Sequence, residues 1–318
     1  MIGAGPMRRE ILQLEYDGQL LVGTYHQPLT ADAPAVGFLL FNSGYVPRDG
    51  HGGLAVRVCD RLAEAGFHCF RFDLPGLGDS TGELPVENQE FYDLVTGGHF
   101  VAPTLMIERS LRERYHLSGV VLGGLCGAAV TALYAADQDT EGVIGVMLFE
   151  PEFYLTEPNG QQDASVDPRV VAQPMLHTRP HGAPRKPARK LFHYWGWMRQ
   201  LTFENDLGRY VPLPRRLILK LVLHNEKLPA VTNVPLAGAW RRLVQRRVPV
   251  LVITAEGKLR EVFFDRINRV VLAGLDTTRI TRHRLAGTNH IFTTGGAIGT
   301  VAELAGDWGC REMCDRPA

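Results

Sequence analysis

The chain reads as an α/β protein: a mostly parallel sheet with helices on both faces and a helical cap inserted past its middle. Three observations predict this. Short apolar runs alternate with stretches of helical spacing, the pattern of strand–helix–strand units. Several runs are apolar throughout rather than at every second position, as in strands covered on both faces. Residues 152–246 break the rhythm over a length too great for a structureless connection. The predicted core is therefore 1–151 with 247–318, and the predicted cap is 152–246.

The elements follow in order. REILQLEYDGQLLVGTYHQP places the turn signal Asp17-Gly18 between two alternating runs, predicting a β-hairpin. Ala35–Gly44 is a nearly continuous apolar strand. Leu54–Ala65 is helical by the spacing of Val58, Leu62 and Ala65, and Gly66 stops it. Gly66–Leu74 is a second buried strand, ending in the turn-rich PGLGDSTG. Val101–Tyr115 is helical, with Leu105, Ile107 and Leu111 apolar. A strand at Gly119–Leu122, a helix through Ala136 and a strand at Val143–Phe149 come next. After residue 152 the chain is rich in proline, arginine and aromatics until about Arg247. Order resumes with the strand in VPVLVITAEG, then a helix through Phe263, Ile267, Val270 and Val271. A last strand near Arg279–Leu285, the loop AGTNHIFTTGG and a helix from Ala297 to Trp308 close the chain.

Composition narrows the function classes. With 45% hydrophobic and 21% charged residues, the 318-residue chain is ordinary for a globular protein. Its formal net charge is zero, so no global field argues for nucleic acid or an anionic membrane. The N-terminus lacks the apolar centre of a signal peptide, and no segment reaches transmembrane length. The five cysteines (Cys59, Cys69, Cys126, Cys310, Cys314) are odd in number and scattered, predicting reduced thiols in a cytoplasmic protein. Without a Walker loop, a dinucleotide fingerprint or a metal-ligand cluster, no cofactor is expected.

The stretch that carries chemistry is VVLGGLCGAA, Val120–Ala129. A strand ends in glycines, a cysteine follows, and small residues open a helix. That is the layout of a nucleophile elbow, whose tight turn demands small neighbours around the reactive side chain. Here Gly124 and Ala128 flank Cys126 at two residues on either side. Cysteine stands where serine is usual, and alanine replaces the second glycine. Thiolate is the reactive form, favoured by a helix N-terminus and a neighbouring base.

The order of strand–NSG, FDLPGLGDS, GGLCGAA, a long insertion, VLVITAEG and TNHIF resembles the α/β-hydrolase superfamily across nearly the whole chain. The block Phe41–Ser80 more narrowly resembles the exosortase-associated hydrolases. The resemblance implies an eight-stranded sheet and a nucleophile–acid–histidine triad in that order. It does not fix a substrate.

The resemblance puts the triad histidine at His290, in the loop beyond the last strand; His283 lies within the strand pattern. His51 lies near the NSG loop, whereas His177, His181, His193 and His224 belong to the insertion. Lys258 stands where the resemblance expects the aspartate, leaving Glu256 as the nearest carboxylate. Glu261, Asp265, Glu150 and Glu152 are the rivals, so the acid stays open. An acyl intermediate also needs donors for its oxyanion, typically backbone N–H groups. Gly127 supplies one, and Tyr45 is favoured for the other over Ser43 and Gly44. Asp73 and Asp79, by resemblance, brace loops.

From Arg179 to Lys220 ten basic residues face two acidic ones. This local positive charge suits a solvated surface, the phosphates of coenzyme A, or an acidic acyl carrier protein. The sequence therefore predicts an acyl-transfer enzyme with Cys126, His290 and Glu256 as its triad. It would act on a small-molecule ester, thioester or lactone through an acyl-thioester, passing the acyl group to water, an amine or an alcohol. The competing expectation is a binding or carrier-docking protein that keeps the fold without turnover.

Overall fold

A computed structural model describes residues 8–30, 33–155, 228–229 and 231–314. Eight strands form one sheet: β1 Arg9–Tyr16, β2 Gln19–His26, β3 Val36–Phe41, β4 His68–Phe72, β5 Gly119–Leu125, β6 Val143–Phe149, β7 Val250–Ala255 and β8 Ile280–Leu285. The helices of the described residues are α1 Leu54–Glu64, α2 Asn88–Thr96, α3 Val101–Tyr115, α4 Gly127–Gln138, α5 Val234–Gln245, α6 Leu259–Val271 and α7 Ala297–Met313. The strand order is β1-β2-β4-β3-β5-β6-β7-β8. β1 and β2 pair antiparallel, as do β2 and β4, and every later pair is parallel. The hairpin turn falls at Asp17 and Gly18, both with positive φ, as a tight two-residue connection requires.

Both faces of the sheet are buried. Phe38, Leu40, Val121, Leu251 and Ile253 share one cluster with α1 and α7. Their strand neighbours Leu39, Val120, Leu122, Val250 and Val252 point the other way and are equally buried. The row α3–α4–α5–α6, in which each helix packs on the next, covers that second face. Among the described residues no helix is long and apolar enough to cross a membrane.

Two helices were not foreseen. α2 lies in the stretch between PGLGDSTG and Val101 that the pattern left unassigned. α5 falls within 152–246, yet it packs against α4 and α6 of the core. Asn233 caps α5 by accepting from Leu236 N–H at 3.1 Å, and its amide donates to the Thr96 carbonyl at 3.0 Å. The Trp240 indole donates to Asn268 at 2.8 Å, so a buried polar atom is satisfied where α5 meets α6. Just before α5, Leu155 N–H bonds the Val231 carbonyl at 2.7 Å and Asn233 N–H bonds that of Phe153 at 2.8 Å. The chain thus leaves the core and returns to it at one point. The rest of the expected cap lies outside the described residues.

Far from the elbow, fully buried His26 joins β2 to its neighbours. Arg71 Nε donates to His26 Nε2 at 2.8 Å, so His26 Nδ1 carries the proton shared with Asp60 at 2.8 Å. Burial, then Arg71, lower this imidazole from 6.5 to about 4, while Asp60 opposes. The unfolded chain therefore takes up the proton first, and the stability tied to neutral His26 is lost as pH falls from 6.5 towards about 4. Urea denaturation at stepped pH should show a shallower loss across that window in His26→Gln. Equal slopes would remove His26 as a source of the pH dependence.

Candidate active site

The end of β5 has the conformation that its small residues allow. Cys126 has φ 55° and ψ −115°, a strained combination for a residue with a side chain. Its N–H bonds the Phe149 carbonyl at 2.9 Å, and its own carbonyl accepts from Val130 in the first turn of α4. A Cβ on Gly124 would stand 2.4 Å from that of Ala128, so the turn closes only with no side chain there. The sulfur is thereby held at the N-terminus of α4, where the helix dipole favours negative charge.

A polar cluster meets that sulfur. Arg260 Nη1 donates to Cys126 Sγ at 2.9 Å, and its Nη2 pairs with Glu152. Tyr92 O–H donates to the other Glu152 oxygen at 2.8 Å. The Tyr154 hydroxyl holds the Arg260 carbonyl at 3.2 Å. Burial pushes the Cys126 thiol up to about 12; the Arg260 guanidinium opposes this, while Glu152 and Glu150 add to it. The resting sulfur is a thiol.

Glu150 follows β6 with φ 49° and is fully buried. One carboxyl oxygen accepts from Ala255 N–H, and the other has no partner among the described residues. Burial raises it to about 7; the Ala255 bond and Arg260 oppose, and Glu152 and Glu261 add. It is the buried carboxyl at the second place considered for the acid.

His290 shares the neighbourhood of Arg260 without a hydrogen bond to Cys126 among the described residues. Burial lowers it to about 3, with Arg260, His51 and Lys258 adding in that order. Its Nε2 is buried and has no hydrogen-bond partner among the described residues. Glu256 is exposed, and its N–H ties the loop to the Leu285 carbonyl at 2.8 Å. No hydrogen bond links Glu256 to His290 among the described residues. Glu261 bonds Gly257 N–H and Arg284, and Asp265 pairs with Arg282 and Arg284, so both are engaged with β8 and its approach. The structure thus brings Cys126, Arg260, Glu152 and Tyr92 together, with His290 facing the same guanidinium. Arg260 and Tyr92 had no motif in the sequence to announce them.

The expected oxyanion donors lie on two loops. Gly127 opens α4, so its N–H has no partner inside the helix. Tyr45 stacks on Phe91 with ring centres 4.2 Å apart, and its hydroxyl donates to the Pro85 carbonyl at 2.8 Å. Buried Asp73 braces this loop: it accepts from Asn42 at 2.6 Å, from Arg48 N–H at 2.6 Å and from Asp79 N–H at 3.1 Å.

A family model described as alpha/beta hydrolase fold matches residues 44–291. The chain belongs to that family. A search of curated proteins gives no match. Among solved structures, a dienelactone hydrolase from Anabaena variabilis ATCC 29413 superposes with a TM-score of 0.52 at 16% identity, covering 97% of this chain and 100% of that one. The thioesterase domain from the curacin biosynthetic pathway gives 0.52 at 14% identity, covering 94% and 99%. An esterase from Pyrococcus furiosus gives 0.55 at 12% identity, covering 96% and 92%. At such identities these likenesses speak to the α/β-hydrolase fold alone.

The packing at the elbow can be tested directly. Gly124→Val should destabilise the protein by about 2–3 kcal/mol in urea denaturation, because its methyls have no room beside Ala128. A loss within error of zero would show that the turn relaxes freely.

Proposed function

We propose that this α/β-hydrolase is an acyl-transfer enzyme with Cys126 as nucleophile. The observation that carries the reading is the strained φ/ψ of Cys126, held with its sulfur at the start of α4. Strain of this kind costs about 1–3 kcal/mol and persists where the surroundings over-determine it. In the proposed reaction the thiol proton passes to His290 Nε2 as the sulfur adds to an ester, thioester or lactone carbonyl. The N–H groups of Gly127 and Tyr45 receive the oxyanion. The proton then goes to the departing oxygen or sulfur, leaving an acyl-thioester that water, an amine or an alcohol resolves. Since thiol and imidazole are both neutral at rest, proton transfer accompanies attack.

Of the Glu150/Glu152 pair, Glu150 now has more in its favour as the third member than Glu256, because it is buried in the neighbourhood of Arg260 with one carboxyl oxygen unpartnered among the described residues. By its Phe41–Ser80 block we assign the chain to the exosortase-associated type. The basic stretch from Arg179 to Lys220, outside the described residues, is proposed to receive coenzyme A or an acyl carrier protein. The odd number and scatter of its five cysteines suit a cytoplasmic setting.

One observation favours a second reading, a ligand-binding protein without turnover. The thiol is pushed up to about 12 and the imidazole down to about 3, so neither is poised at rest. Mass spectrometry after incubation with a panel of activated acyl donors separates the two readings. An adduct on Cys126 that is absent in Cys126→Ala, and forms about 100-fold more slowly in His290→Gln, supports catalysis. No adduct from any donor, with ligand binding unchanged in His290→Gln, supports the second reading. The rate of adduct formation should also hold as pH falls through 6.5, because folded His290 takes its proton only near 3. A decline centred on 6.5 would mean an imidazole of ordinary basicity.

A further inference from the structure

We propose that Arg260, rather than an imidazolium at His290, supplies the positive charge against which Cys126 ionises, and that Glu152 governs how much of that charge reaches the sulfur. The inference rests on the reading of Cys126 as nucleophile and deepens it.

The geometry carries the argument. The two terminal nitrogens of Arg260 are divided between two acceptors: Nη1 lies 2.9 Å from Cys126 Sγ, and Nη2 pairs with Glu152. Neither side chain of the pair has much exposure, 14% for Arg260 and 4% for Glu152, so solvent screens the arrangement weakly. Tyr92 holds the second oxygen of Glu152 at 2.8 Å, which keeps the carboxylate from swinging away. A guanidinium keeps its charge at any working pH. At His290, by contrast, burial and the charge of Arg260 disfavour a second cation. The fixed charge at the sulfur is therefore the guanidinium.

The charged and titratable groups acting on the sulfur come from three elements. They are Arg260 on α6, Glu152 and Glu150 on the segment after β6, and Tyr92 on α2. Arg260 favours the thiolate. Glu152 works against it twice, by its own repulsion and by drawing the shared guanidinium. Arg260 and Glu152 are thus positioning residues that act through Cys126, with Tyr92 fixing Glu152 in turn.

The test is an ultraviolet titration of the thiolate, taken as the difference between the full chain and its C126S variant. This reading reports ionisation and is indifferent to reagent access. In E152Q, which keeps the shape and a partner for Tyr92, the Cys126 ionisation should move down by about one pH unit, giving about tenfold more thiolate at any pH below the midpoint. R260M alone would strand a buried carboxylate and could unfold the chain, so the pair is removed together as R260M/E152L. In that double variant the ionisation should move upward. H290Q should leave it in place. An unmoved E152Q, an unmoved double variant, or an H290Q shift as large as that of E152Q would overturn the proposal. Failure of acyl-adduct formation would instead sink the nucleophile reading, and the titration result would still stand.

Discussion

The contact between Gly124 and Ala128 is the constraint on which the site depends. It lets β5 run into α4 with a single residue at the corner, and that residue must adopt φ 55° and ψ −115°. The backbone of Cys126 is bonded on both sides, to Phe149 in β6 and to Val130 in α4. Sheet and helix together therefore impose a dihedral pair that the residue would not choose. The sulfur is displayed by the packing of its neighbours, more than by any property of cysteine.

Electrostatics then decide what the displayed sulfur can do. A buried thiol resists ionisation, and among the described residues the compensation is specific: a guanidinium in direct contact and a helix N-terminus behind. The same guanidinium is held by a carboxylate that a tyrosine fixes, so the attraction of Arg260 for the sulfur is opposed in part by Glu152. Such an arrangement makes the sulfur quiet in the resting protein. Its ionisation becomes sensitive to anything that perturbs one pair of charges.

The fold was largely legible in the sequence. The central strands announced themselves through apolar runs and the elbow glycines, since burial on both faces writes itself directly into residue type, and the edge strand β1 through the Asp17-Gly18 turn. α2 escaped because Asn88–Thr96 is short and follows a glycine-rich loop. α5 escaped because its neighbours upstream are proline- and arginine-rich, which hid the buried stripe of Leu236, Trp240 and Leu243. The site was legible only in part. Cys126, Gly127 and His290 sit at positions fixed by topology, whereas Arg260 reaches the sulfur, and Tyr92 reaches the Glu152 that pairs with it, from two helices distant in sequence. No spacing rule connects such residues. Glu256 looked apt by position alone, and the exposure of its side chain is a tertiary outcome.

One feature of the frame has consequences for how such chains diversify. Phe153 and Leu155 are stitched to Asn233 and Val231, so the two ends of the polypeptide between them meet. Lengthening a segment whose ends are already joined adds only a slowly growing entropic cost. The scaffold can therefore exchange that segment for one of another size or charge while the sheet, the corner and the sulfur stay as they are.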